Sequence, residues 1–263
     1  MKILTLYFSA TGNTKYIAEL FSSKMDAKCR TIEADVDFSC EIKEHDVITF
    51  CYPIYGSRVP RIMREFAFRY KAELDGKKIV IFVTQVMFSG DGARVFTDLL
   101  KDIDVEVIYA EHFLMPNNVG NIFIFRKQSP EKLEKYVTNA NKKMENVCRD
   151  IKDGIIRRRG FSGFSKFLGC LQGKLWQGDS RKVEPSKFSA EVWSRNRVKI
   201  RKECNSCGLC VKICPVGNFS SEQGEVKPNG NCIVCYRCIN KCPQRAISIM
   251  IGLKPRWQYE GIE

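Results

Sequence analysis

Leu6-Tyr7-Phe8-Ser9-Ala10-Thr11-Gly12-Asn13-Thr14-Lys15 joins an apolar run to an amphipathic one through a loop of hydroxyls. Upstream, residues 2–8 are rich in Ile, Leu, Tyr and Phe, as a buried strand is. Downstream, Tyr16, Ile17, Leu20 and Phe21 fall on one helical face. A strand, loop and helix in this order suit a phosphate. The hydroxyls of Ser9, Thr11 and Thr14, with the free N–H groups at the helix start, bind an anion without Lys or Arg. Gly12 lets the backbone approach closely. The competing reading is a Ser/Thr-rich loop that only caps a helix. The Gly-x-x-x-x-Gly-Lys-Ser/Thr pattern is absent. Gly-x-Gly-x-x-Gly is absent after the first strand, and Gly90-x-Gly92 lacks the third glycine. These absences count against ATP, GTP, NAD and FAD at this loop.

The same rhythm continues outward. Residues 28–34 read as a second strand, 46–52 as a third, 78–84 as a fourth and 105–114 as a fifth. Helical patterns fall at 60–70, from Gly92 through Phe96 and Leu100, and at 130–152, the last with Leu133, Tyr136, Val137, Met144 and Val147 inward. Alternating strands and helices predict an α/β fold, a doubly wound five-stranded parallel sheet of order 2-1-3-4-5. Ligands of such sheets sit beyond the carboxyl ends of the strands. The polar, Gly-containing turns follow strands one, three and four, which is where such a ligand needs them.

The carboxyl-terminal part has a different signature. Cys204-x-x-Cys207-x-x-Cys210-x-x-x-Cys214-Pro215 is followed by Cys232-x-x-Cys235-x-x-Cys238-x-x-x-Cys242-Pro243. These are eight of the 13 cysteines; Cys29, Cys40, Cys51, Cys148 and Cys170 are scattered. Tight clustering after a long cysteine-poor stretch points to metal rather than disulfides. Zinc is the competing reading, but zinc knuckles use longer separations and often His, and no His follows His112. His45 and His112 read as ordinary structural or surface residues, and no catalytic acid, base or nucleophile set is visible.

The 6–15 segment resembles the flavodoxin fingerprint, and each cysteine run resembles that of bacterial two-cluster ferredoxins. The resemblance covers residues 1–153 and 198–257, and together the halves look like the flavodoxin–ferredoxin fusion proteins of anaerobes. It implies a flavodoxin-like domain at 1–153 and a small α+β ferredoxin-like domain at 198–263; the basic residues 154–197 between them, with Phe161, Phe164, Phe167, Leu168, Leu171 and Leu175 at near-helical spacing, read as a connector with a short amphipathic helix. It also implies FMN, with its phosphate on Ser9, Ala10, Thr11, Gly12, Asn13 and Thr14. The isoalloxazine then lies between Pro53-Ile54-Tyr55-Gly56 and Met87-Phe88-Ser89-Gly90-Asp91-Gly92. Tyr55 is the candidate to stack on the ring and Met87 or Phe88 to cover it; the alternatives are a solvent-facing turn for Tyr55 and a helix cap for Asp91. Two 4Fe–4S clusters are implied, one on Cys204, Cys207, Cys210 and Cys242, the other on Cys232, Cys235, Cys238 and Cys214. Ile213, Ile233, Ile239, Ala246, Ile247 and Ile249 make their apolar shell. Met115-Pro116-Asn117-Asn118 departs from the flavodoxin pattern; it reads as a turn, with Asn117 or Asn118 as candidates to reach the ligand.

The formal charge is +13. With both clusters and a phosphate bound it falls to about +7. The surplus sits in one segment: residues 154–202 hold 13 Lys and Arg against 3 Asp and Glu. No apolar run is long enough to span a membrane, and the amino-terminal run is too short for a signal peptide, so a cytoplasmic protein is expected. A flavin takes electrons singly or in pairs and a cluster takes one, so their union suggests electron transfer with a redox partner protein, an acidic one by charge. A flavin-dependent reductase of a small oxidant is the alternative. A nucleic-acid-binding redox regulator, through Arg157-Arg158-Arg159 and the rest of the connector, is a third reading; no recognition motif supports it, so the segment reads as a solvated linker and no nucleic-acid partner is expected.

Overall fold

The computed structural model describes residues 1–87 and 90–262. Five strands form a parallel sheet: β1 (Ile3–Tyr7), β2 (Lys28–Thr31), β3 (Val47–Pro53), β4 (Lys77–Gln85) and β5 (Val105–Leu114). Their order is β2-β1-β3-β4-β5. A sixth, two-residue strand, β6 (Arg157–Arg158), pairs in parallel with Tyr109 and Ala110 of β5. The expected five-stranded sheet thus gains an edge from the basic connector. Two arginines carry no strand periodicity, so pattern alone does not find it.

The central strands β1, β3 and β4 are apolar on both faces because helices cover both. One face packs on α1 (Asn13–Met25) and α5 (Pro130–Lys152), through Ile17, Phe21, Met144 and Val147. Pro130 opens α5, and Ser129 caps it by accepting from Lys132 N–H. Leu133, Tyr136 and Val137 of α5 are only half-buried. The other face packs on α2 (Ser39–Lys43) and α3 (Arg61–Arg69), with the short α4 (Arg94–Thr97) and the 3₁₀ turn that follows it, through Ile42, Met63, Phe66, Phe96 and Leu99.

The connector is built in rather than slack. Its α6 (Gly163–Trp176) lies on the carboxyl-end loops of the sheet, and its α7 (Ala190–Arg195) sends Glu191 to Arg64 of α3 at 3.0 Å, both side chains buried. The cysteine-rich end contains β7 (Lys199–Ile200), α8 (Leu209–Ile213), the hairpin β8 (Phe219–Glu222) with β9 (Glu225–Pro228), α9 (Arg237–Lys241) and β10 (Ile247–Ser248), which pairs with β7. Its own core holds Phe219, Val226, Ile239, Ile247 and Ile249. Ile233 and Cys235, however, belong to the core of the sheet half. The two halves therefore share buried surface, and their mutual position is set by packing.

Candidate functional site

At the carboxyl ends of β1, β3 and β4 lies a cavity of about 510 Å³. Ser9, Ala10, Thr11, Asn13, Thr14, Pro53, Ile54, Tyr55, Gly56 and Met87 line it, so most of the residues singled out by sequence converge. The loop after β1 is held open by its own hydrogen bonds. Gly12, at φ +104°, donates its N–H to Ser9 Oγ at 3.2 Å. Thr14 Oγ1 lies 2.7 Å from Thr84 Oγ1, and Asn118 Nδ2 donates to Thr11 Oγ1 at 3.0 Å. Asn118 and Pro116 thus join the wall, whereas Asn117 is buried beside it and holds Arg126 O and Val119 N–H.

The loop after β3 is a tight turn. Tyr55 and Arg58 exchange backbone hydrogen bonds across Gly56 and Ser57, both at positive φ, as a type I′ turn requires. The indole of Trp176 packs on Gly56, where a Cβ would come within 2.5 Å of Trp176 Cγ. Tyr55 lines the cavity, and its buried hydroxyl has no hydrogen-bond partner among the described residues. Burial drives its pKa well up, and the neighbouring Cys235 adds to this.

Gly90, Asp91 and Gly92 do not line the cavity, contrary to the sequence expectation. Asp91 is buried beneath α6, paired with Arg94 at 2.6 Å and Arg58 at 3.8 Å. Burial raises its pKa, and Arg94 and Arg58 oppose the rise. Gly169 and Gly173 of α6 sit on this pair; a Cβ on either would fall within 2 Å of Asp91 or Arg58. The helix is seated on this charged pair. Phe88 and Ser89 lie outside the described residues. His112 is buried away from the cavity, its pKa pushed down to about 4 by burial and then by Arg159 and Lys143.

The opposite wall comes from parts of the chain that sequence reading did not assign to the site: Gln172, Leu175 and Trp176 of α6, and Val234, Tyr236 and Met250 of the cysteine-rich end. Val234 and Tyr236 lie inside the run Cys232-x-x-Cys235-x-x-Cys238. Tyr236 OH donates to Met250 Sδ at 3.0 Å. Arg237 reaches across to the loop after β1. Its Nε donates to Ala10 O at 3.0 Å, one Nη to Ser9 O at 2.7 Å, and both Nη groups grip Glu33. The terminal segment closes the seam: Tyr259 OH donates to Asn13 Oδ1 at 2.6 Å and Trp257 Nε1 to Phe125 O at 3.0 Å.

The eight cysteines ring two small cavities. Cys214, Cys232, Cys235 and Cys238 line one, and Cys204, Cys207, Cys210 and Cys242 line the other, with Cys238 at their boundary. No disulfide links any of them. Among the described residues no three His, Cys, Asp or Glu side chains converge as one metal ion requires. Thiols spaced around a void fit a multi-atom cluster better. Four sulfurs already accept backbone N–H groups, as thiolate ligands do: Cys204 from Ser206, Cys214 from Asn218, Cys232 from Val234 and Cys242 from Ala246. Burial pushes Cys232 up to about 12 and Cys235 to about 11, so free thiolates are costly there. Ile233, Ile239, Ala246, Ile247 and Ile249 are buried around them, and Ile213 is half-buried.

Comparison with known proteins gives two family matches: a flavodoxin domain over residues 4–118 and a 4Fe-4S dicluster domain over residues 190–247. The arsenate respiratory reductase iron-sulfur subunit ArrB of Shewanella sp. (strain ANA-3) is 37% identical over 60 residues, 21% of this chain. The match spans 26% of that relative's length. Two-electron reduced flavodoxin from Megasphaera elsdenii is 18% identical, covering 54% of this chain and 98% of that one, at TM-score 0.39. Oxidised Flavodoxin 2 from Bacillus cereus is 20% identical, covering 56% and 99%, at TM-score 0.36. The flavodoxin domain implies FMN, and the dicluster domain implies iron–sulfur clusters. Among the described residues no helix is long and apolar enough to cross a membrane.

Proposed function

We propose that this chain, a flavodoxin domain joined to a 4Fe–4S dicluster domain, passes electrons between FMN and two clusters and exchanges them with a redox partner protein. The proposed units are 1–153, 154–197 and 198–263. FMN supplies two-electron chemistry and each cluster one-electron chemistry. Ser9, Ala10, Thr11, Gly12, Asn13 and Thr14 bind the phosphate through N–H and hydroxyl groups at the start of α1. Pro53, Ile54, Tyr55 and Gly56 flank one side of the ring, and Met87 borders the cavity on the other.

Cys214, Cys232, Cys235 and Cys238 hold the proximal cluster, and Cys204, Cys207, Cys210 and Cys242 the distal one. One observation carries the reading. Val234 and Tyr236 belong both to the cavity wall and to the cysteine run, so the proposed flavin cavity and the proximal ligands adjoin along the chain. The distal loop faces out: Cys207 is exposed, as are Lys199, Lys202 and Lys212 near it. An acidic redox partner docks there by charge.

Anaerobic purification with flavin, iron, sulfide and zinc counts tests this. About one FMN and eight irons per chain are expected. Zinc in place of iron, or no flavin at saturating FMN, overturns it.

A further inference from the structure

Helix α6 is mounted inside out. Its small residues, Gly169 and Gly173, are buried against the Arg58–Asp91 pair. Four of its large apolar residues point to solvent: Phe164, Phe167, Leu171 and Leu175 are 61–71% exposed. They follow one another at three- and four-residue steps, which makes one ridge along a helix about 21 Å long. A helix facing water normally turns such a ridge inward. Seating the two glycines on the charged pair forbids that rotation here, since any side chain on the seated face would clash. At the carboxyl end of α6, Ser186 N–H bonds Gln177 O, and two residues on Phe188 is 99% exposed.

The charges on this segment have one sign. Residues 154–178 contain Arg157, Arg158, Arg159, Lys166 and Lys174 and no Asp or Glu. Lys166 and Lys174 are exposed, and no carboxylate among the described residues lies within ion-pair reach of either. Arg157 and Arg159 are exposed too, although each also touches a carboxylate, Asp150 and Glu111.

From this juxtaposition we propose that the outer face of α6 docks on a lipid bilayer carrying anionic headgroups. The Phe and Leu ridge enters the headgroup–acyl boundary, and Lys166, Lys174 and the arginines meet lipid phosphate. A second copy of the chain fits poorly. A two-fold contact through this ridge sets Lys166 and Lys174 against their own kind, with no acid on the segment to offset them. A protein groove also fits less well, because the ridge offers no Tyr, Trp or Arg anchor and no hydrogen-bonding side chain to fix a register. A bilayer requires neither. Leu175 lies on the ridge and in the wall of the large cavity, so docking brings the cavity mouth to the interface.

The test is sedimentation of the anaerobically purified holoprotein with vesicles. Vesicles of phosphatidylcholine containing about one-third phosphatidylglycerol are expected to bind it at least about tenfold more than phosphatidylcholine alone. Two double variants, Phe167→Ser with Leu171→Ser and Lys166→Glu with Lys174→Glu, are each expected to lose most of that binding. All four positions are exposed, and an unchanged visible spectrum verifies the fold. No binding, or binding indifferent to both variants, overturns the proposal. So does a monomer–dimer equilibrium abolished by the Ser pair without vesicle binding, which gives the face to a second copy. Binding to an acidic protein that both double variants abolish, without vesicle binding, gives this face to a protein partner and overturns it equally.

Discussion

The loop Cys204–Gly217 and the loop Cys232–Arg245 trace the same path 28 residues apart. Left-handed residues recur at Ser206 and Val234, at Gly208 and Tyr236, and at Gly217 and Arg245. A five-residue helix follows in each, and the same sulfurs accept the same backbone N–H groups. Among the described residues only the second loop meets the large cavity, and the residues that meet it are where the repeat is broken. Tyr236 stands in the place of Gly208 and holds a conformation that costs a non-glycine residue about 1 kcal/mol or more. Its buried ring forms the cavity wall. Arg237 stands in the place of Leu209 and grips the loop after β1. Two similar cluster cradles thus acquire different roles through neighbours of their ligands.

The largest expected effect separates the cradles directly. Cys235→Ser and Cys207→Ser each remove about four irons per chain. In the Cys207 variant, rapid anaerobic mixing should still show the flavin and the remaining cluster exchanging electrons. In the Cys235 variant that exchange should be lost although the distal cluster remains. Equal behaviour of the two erases the proximal–distal distinction.

Next comes the staple. Arg237→Met strands the Glu33 carboxylate and frees two carbonyls of the loop after β1. A loss of about 3 kcal/mol in urea unfolding is expected, with weaker FMN binding. Leu209→Met, the matching change in the first loop, should cost less than about 1.5 kcal/mol and leave FMN affinity alone. Tyr236→Gly makes the second loop match the first. Relief of the left-handed strain offsets part of the lost ring burial, and a net loss of about 2 kcal/mol is expected. A stabilised variant contradicts the assignment of the ring as wall.

The smallest effect concerns Tyr55. Removing an unpartnered buried hydroxyl in Tyr55→Phe should leave stability equal or higher by about 1 kcal/mol. Because that hydroxyl neighbours Cys235, the reduction potential of the proximal cluster should shift while that of the distal cluster stays. A shift in both, or only in the distal one, contradicts the geometry.

Much of this arrangement is legible in the chain, and the gaps have physical causes. Strands β1 to β5 and helix α5 follow from apolar periodicity, and the doubled cysteine spacing marks the cluster half. The hydroxyl loop and Pro53–Gly56 reach the cavity because each follows a strand at the same end of the sheet. The far wall was not legible, since Gln172, Trp176 and Tyr236 arrive from more than 100 residues away in sequence. Gly90–Gly92 read as a ligand loop until the buried Arg58–Asp91 pair is seen. An amphipathic helix ordinarily turns its apolar ridge inward. Two glycines and an ion pair overrule it.

The central claim is that electrons pass within one chain, through the wall that Val234 and Tyr236 form. Flash reduction of the bound flavin in the anaerobic holoprotein, followed by the visible bleaching of the clusters, measures this passage. The account predicts a bleaching rate that stays constant as protein concentration is raised about tenfold, with the distal cradle emptied or filled. A rate that climbs in proportion to concentration means that electrons travel between molecules, and it would contradict the account.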